Sequence, residues 1–136
     1  ATDHAPHPAE SKECEWQVAS FGMIGLESAL SVVHATMVET SLMSWSDLAD
    51  RMSYAPARIA GYTGQGQELR TGSNANLAII DPALAWKVDR DLGVSRSRNT
   101  PFHGMEFPGS VIATFFRGQP TVMNSQLVSN KAQNEI

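Results

Sequence analysis

The feature that most restricts the fold is a change of apolar rhythm near Gly64. Before it, Leu26, Ala29, Leu30, Val33, Met37 and Val38 recur at three- and four-residue steps, the period of one helix face. After it, short apolar or alternating stretches separated by Gly, Asn and Pro read as strands. The spacing predicts a helix over about 23–43, with Glu27, Ser28, Ser31 and Glu39 mostly off its apolar face. Ser46 reads as the N-cap of a second helix, about 47–53, with Asp47 in its first turn. Pro56 suits the first turn of a third, about 55–60, which Gly61 stops. Strands are expected over 75–81, ended by Asp81-Pro82, and over 85–89, with mostly loop across 90–110. Residues 110–116 and 120–123 flank Arg117-Gly118-Gln119, a hairpin signal. Residues 8–20 read as a charged surface loop anchored by Trp16, and the last dozen residues as a polar tail.

Helices first and short strands last would make an odd domain standing alone. The order fits better as the end of a longer chain, a final β/α unit followed by strands of a small second domain. Asp3, His4, Pro6 and His7 crowd the start like a cut through a strand end, so residues before Ala1 are expected in a parent protein.

The net charge is −4, and the seven Arg and three Lys are scattered from Lys12 to Lys131. Nucleic acid is therefore a poor partner, because phosphate binding needs a basic face. The single Cys14 rules out an internal disulfide, fits a reducing compartment, and reads as a small buried or half-buried thiol. No basic stretch followed by an apolar one opens the chain, and no apolar run approaches the roughly 18–20 residues of a membrane span. A cytoplasmic protein without a membrane partner is expected.

Chemistry concentrates in Asp3-His4-Ala5-Pro6-His7. One Asp and two His within five residues could be metal ligands or an acid–base pair. Zinc takes about four ligands, and these three are too close in sequence to supply a tetrahedral set comfortably. His34 and His103 lie in other elements without HxH or HExxH spacing. From residue types and spacing alone, solvated polar side chains remain the commoner reading. His34 is expected at a helix surface or boundary, Met37, Met43 and Met52 as core filler, and Trp45 and Trp86 as packing residues. Asn99-Thr100-Pro101-Phe102 reads as a structural turn that seats Phe102.

Five segments in order carry a resemblance. Thr2-Asp3-His4-Ala5-Pro6-His7 resembles the end of the eighth barrel strand of dihydroorotases of the class I type, in the amidohydrolase superfamily. Phe21-Gly22-Met23-Ile24-Gly25-Leu26-Glu27-Ser28-Ala29 is similar to the family's Phe-Gly-Ile-Val-Gly-Leu-Glu-Thr-Ala. Met52-Ser53 with Pro56-Ala57-Arg58-Ile59 resembles the helix before its second domain. Gly72-Ser73-Asn74-Ala75-Asn76-Leu77 with Asp81-Pro82, and Ser97-Arg98-Asn99-Thr100-Pro101-Phe102, resemble two later motifs. The match runs over almost the whole chain, from residue 1 to about 122, and the order of the pieces makes it specific.

The resemblance implies an α/β fold, the C-terminal fragment of a TIM-barrel metal-dependent hydrolase. Residues 1–63 would be its last strand, active-site loop and helices, residues 64–123 strands of a small β-sandwich domain, and residues 124–136 a flexible tail. It implies reversible hydrolysis of dihydroorotate to N-carbamoyl-aspartate in pyrimidine biosynthesis. Asp3 would touch zinc and shuttle a proton from the attacking water to the departing ring nitrogen. His7 would grip the substrate carboxylate, and the backbone of Phe21 and Gly22 would contact the ring. His4 has no assigned role beyond orientation or solvation. One or two zinc ions are implied, with most ligands before Ala1, so this chain alone would be inactive and would expose a large apolar helix face. Implied partners are the small-molecule substrate, the rest of the barrel, and a second copy or aspartate transcarbamoylase. The alternatives are a non-catalytic scaffold subunit of aspartate transcarbamoylase and a related hydantoin or allantoin amidase.

Overall fold

The computed structural model describes residues 2–128; Ala1 and the tail expected beyond 128 lie outside them. A segment at 2–7 runs beside a second at 21–25, joined by a parallel bridge between His4 and Met23. Between them the charged loop holds a single helical turn, Ala9–Ser11. Trp16 does not anchor that loop: it is 88% exposed. Cys14 is exposed as well, contrary to its expected burial.

The first helix, α1, spans Ala29–Val33 and widens into a π-turn at His34–Val38. It starts later than the periodicity predicts because residues 23–25 are committed to the second segment: Ala5 N–H donates to the Met23 carbonyl and Ile24 N–H to that of Asn99. The buried stripe of α1 is its polar one, and the apolar stripe is left half-buried or exposed, in line with the large apolar helix face expected of this chain alone. Ser28, Ser31 and His34, at three-residue steps, are at most 5% exposed, whereas Leu26 is 63% exposed. The reason is a close approach of polar groups. Ser31 Oγ donates to the Gly109 carbonyl at 2.6 Å and accepts from Trp86 Nε1 at 2.8 Å. His34 lies over Gly109 and tilts against the Trp45 ring, with centroids 4.7 Å apart. His34 is thus an interior residue rather than a boundary one.

The second helix, α2, spans Trp45–Ala49 and widens into a π-turn at Asp50–Tyr54. Its N-cap is Ser44, not Ser46. Ser44 forms a reciprocal capping box with Asp47, whose amide donates to Ser44 Oγ at 3.1 Å while its carboxylate accepts from the Ser44 amide at 2.9 Å. Helix α3 spans Ala55–Ala60, with Pro in its first turn and a left-handed Gly61 cap, as predicted.

Four strands, β1 (Leu77–Asp81), β4 (Ser110–Phe116), β5 (Gln119–Met123) and β6 (Gln126–Leu127), form an antiparallel sheet in the order β1-β4-β5-β6. The predicted hairpin turns on Arg117 and Gly118, both at positive φ, the pairing of conformations that matches strand twist. Asn124 and Ser125 repeat that geometry, so residues read as the start of a tail instead return as β6. The strand expected over 85–89 is only β2, Trp86–Lys87, paired with β3, Glu106–Phe107, inside a stretch read as loop. Phe102 packs edge-on against Phe107, 5.5 Å between centroids.

The interior is thin. The chain exposes 10244 Å², whereas a compact monomer of 14.7 kDa exposes about 6,900 Å². Among the described residues no large side chain is fully buried.

Gly109 has φ +83°, and a Cβ there would lie 2.7 Å from His34 Nδ1. Gly109→Ala should destabilise the fold by about 2 kcal/mol, read from the denaturation midpoint, and the added His34→Ala should recover part of the loss. The Asp47 carboxyl is held below its ordinary value of 3.8 first by the Ser44 hydroxyl, then by the Ser44 backbone amide. A lowered folded-state value stabilises above the unfolded value and fades as pH falls through the folded one. The stability difference between the parent chain and Ser44→Ala should therefore shrink as the solution is taken below pH 3.8, followed by helical ellipticity against temperature.

Candidate functional site

Segments 2–7 and 21–25 place the sequence-predicted residues side by side. Ala5 N–H donates to the Met23 carbonyl at 2.9 Å. This approach depends on Gly22, at φ +102°, because a Cβ there would sit 2.5 Å from the Ala5 Cβ. Asp3 is exposed and holds a φ of +46°, a left-handed conformation that Asp tolerates better than most residues. Such backbone departures gather at functional sites.

The two histidines have opposite tasks. His4 Nδ1 accepts from the amides of Gly25 and Leu26, at 3.1 and 3.3 Å. Those amides open the turn that leads into α1, where backbone donors lack partners. His4 is a structural cap, and its Nδ1 lone pair is committed. His7 Nε2 lies 2.7 Å from the Phe21 carbonyl, which can only accept, so Nε2 carries the proton and Nδ1 is the nitrogen left over.

Phe21 contributes backbone, not its ring, which is 92% exposed. The Gly22 carbonyl accepts from Lys12 Nζ at 3.0 Å and Asn99 Nδ2 at 3.4 Å. Lys12 Nζ also binds the Ser20 carbonyl at 2.6 Å. Among the described residues no acceptor takes the Phe21 and Gly22 amide hydrogens. An open cleft of about 900 Å³ adjoins this arrangement, with His7, Lys12, Gly22, Arg90, Arg96 and Asn99 on its walls.

Asn99 is the residue that sequence reasoning missed as a part of the site. Its Oδ1 accepts from the His7 amide at 3.3 Å and its Nδ2 donates to the Ala5 carbonyl at 2.8 Å. Its place in the motif at 97–102 was a signal, but one read as a structural turn, and its partners lie 77 to 94 residues away. Glu27 was missed in the same way: its two carboxylate oxygens accept from the amides of Val94 and Ser95 at 2.9 and 3.0 Å, fixing the loop that leads to Asn99.

No three His, Cys, Asp or Glu side chains among the described residues lie close enough to hold a metal ion. Zinc takes about four ligands. His4 Nδ1 is already occupied, and the Asp3 carboxylate and the remaining ring nitrogens of His4 and His7 are not gathered with a further ligand among the described residues. The described residues do not make a zinc site on their own.

No protein-family model matches the chain. Curated relatives do. The dihydroorotase of Streptomyces coelicolor is 52% identical over 127 residues, 93% of this chain and 30% of that protein. Those of Leifsonia xyli and Mycobacterium tuberculosis are 44% and 46% identical, over 96% and 93% of this chain and 30% of each relative. Among solved structures, the L-hydantoinase (dihydropyrimidinase) of Arthrobacter aurescens superposes with TM-score 0.84 at 32% identity, over 93% of this chain and 29% of that one. The D-hydantoinase (dihydropyrimidinase) of a Thermus species gives TM-score 0.84 at 22% identity, over 96% and 29%, a likeness of fold alone. The chain thus spans about 30% of the length of the curated relatives it matches, and over that span it is similar to dihydroorotases.

Proposed function

We propose that this chain supplies part of the active site of a dihydroorotase, a cyclic amidohydrolase acting on dihydroorotate and N-carbamoyl-aspartate. The observation that carries the reading is sequence agreement of 44–52% with the Leifsonia and Streptomyces dihydroorotases across more than nine-tenths of the chain. Residues 1–63 are then the last β/α unit of a TIM barrel, and residues 64–123 belong to a small β-sandwich domain. The excess of exposed surface, roughly 3,000 Å² over a compact monomer, supports a chain made to pack against more protein.

In this reading Asp3 takes a proton from water as its oxygen attacks the ring carbonyl carbon. Asp3 then gives that proton to the ring nitrogen as the carbon–nitrogen bond breaks, leaving N-carbamoyl-aspartate; the reverse order closes the ring. Zinc, when bound through ligands outside the described residues together with Asp3, would supply carbonyl polarisation and a more acidic water. His7 presents Nδ1 to the ring carboxylate. With Nε2–H held by the Phe21 carbonyl, donation from Nδ1 makes the ring cationic and the hydrogen bond charge-assisted. The Phe21 and Gly22 amides face the ring itself.

A hydantoin or dihydropyrimidine amidase is the second reading, favoured by the L-hydantoinase likeness at TM-score 0.84. Steady-state turnover of the complete enzyme carrying this chain decides between them: dihydroorotate should be preferred over the same ring without a carboxylate. Asp3→Asn should lower kcat for dihydroorotate by about 10²-fold or more; near-normal turnover would remove Asp3 from the reaction. His7→Ala should cost about 2 kcal/mol in kcat/KM for dihydroorotate and leave dihydrouracil turnover nearly unchanged.

A further inference from the structure

We propose that Asn99 is a positioning residue that sets the distance between the anion-reading histidine and the backbone that cradles the ring, and so governs preference for a carboxylated ring. The inference rests on the dihydroorotase reading and adds to it a residue that touches neither substrate nor proton. One carboxamide offers one acceptor and two donors in a plane. Here Oδ1 takes the His7 amide, while Nδ2 serves the Ala5 and Gly22 carbonyls at 2.8 and 3.4 Å. The Asn99 backbone carbonyl takes the Ile24 amide at 3.2 Å. A single residue therefore grips both the segment that carries Asp3 and His7 and the segment that carries Phe21 and Gly22.

The orientation of the amide is forced. Turned over, it would set NH₂ against the His7 N–H and its oxygen against two carbonyls. An Asp in its place would keep the acceptor for His7 but lose both donors and bring negative charge to the Ala5 and Gly22 carbonyls. The His7 ring adds a second tie to the same segment through the Phe21 carbonyl, so a slip of the backbone carries the imidazole with it. A misplacement of about 1 Å at a site of this kind costs about 10²-fold.

The loop that presents Asn99 does not depend on this carboxamide to fold. Glu27 holds the amides of Val94 and Ser95, Arg98 Nη1 donates to the Ser95 carbonyl, and Phe102 is seated against Phe107. Substitution should thus loosen the register of the two segments without unfolding the loop.

The test uses the complete enzyme carrying this chain, unsubstituted and with Asn99→Ala or Asn99→Asp. For each protein kcat and KM are measured with dihydroorotate and with dihydrouracil, and calorimetry gives Kd for orotate and for uracil, the flat rings with and without the carboxylate. Both variants should fold, raise KM for dihydroorotate and Kd for orotate by about tenfold or more, and change the values for the uncharged rings by less than about threefold. Equal losses on charged and uncharged rings would overturn the proposal, showing a general structural role. No loss on either, or failure of both variants to fold, would overturn it too. If the unsubstituted enzyme neither turns over dihydroorotate nor prefers orotate to uracil, the functional reading itself fails, a result distinct from each of these.

Discussion

The site rests on how closely two pieces of backbone approach each other. Segments 2–7 and 21–25 meet through one parallel bridge and the hydrogen bond from Ala5 to Met23, and the approach is open only to a residue without a side chain at position 22. Every functional group assigned here hangs from one of these segments. Two backbone strands that share so few hydrogen bonds are not held by a ladder. Side chains complete the attachment: His4 at one end, Lys12 and Asn99 at the other. That arrangement trades regular secondary structure for groups whose positions can be set one at a time.

The same economy fixes the two imidazoles. Backbone amides can only donate and carbonyls only accept, so partners alone decide which ring nitrogen bears a proton. His4 faces two amides through Nδ1 and is thereby a neutral acceptor there. His7 faces a carbonyl through Nε2 and is thereby a donor there. Two histidines three residues apart thus become a structural cap and a candidate ligand reader, a division that residue identity alone does not contain.

Local signals in the sequence were legible where they act locally. Pro56 and Gly61 bound α3, Arg117-Gly118 makes its hairpin, and Asp81-Pro82 ends β1, because each works through its own backbone dihedrals. The family motifs singled out Asp3, His7 and the Phe21–Gly22 turn, which lie on adjoining segments. The capping residue was misplaced by two positions because Ser44 and Ser46 are alike in kind, and only the reach of Asp47 back to Ser44 distinguishes them. Asn99 and Glu27 fell inside the family motifs but gained no site role there, because their partners are far off in sequence and are mostly backbone groups, which any residue supplies. Trp16 shows the opposite failure: an aromatic side chain reads as an anchor, yet here it stands in solvent.

Helix α1 buries inside this chain a stripe that its hydrophobic periodicity does not mark. Its sequence carries two stripes, and the apolar one is not the one docked inside this chain. Ser31 and His34 face Gly109 and Trp86, where small and hydrogen-bonding groups let the helix sit close to the start of β4. The stripe of Leu26, Leu30, Val33 and Met37 is left half-buried or exposed. A helix that is apolar on a face its own chain does not cover exposes a surface that water penalises by about 25 cal/mol for each Å². The polar stripe fixes where α1 sits on the β strands, and the apolar stripe is free to meet more protein. On the dihydroorotase reading that protein is the remainder of a barrel, and the helix leading out of the candidate site is then the element through which barrel packing and the placing of Asp3 and His7 are joined.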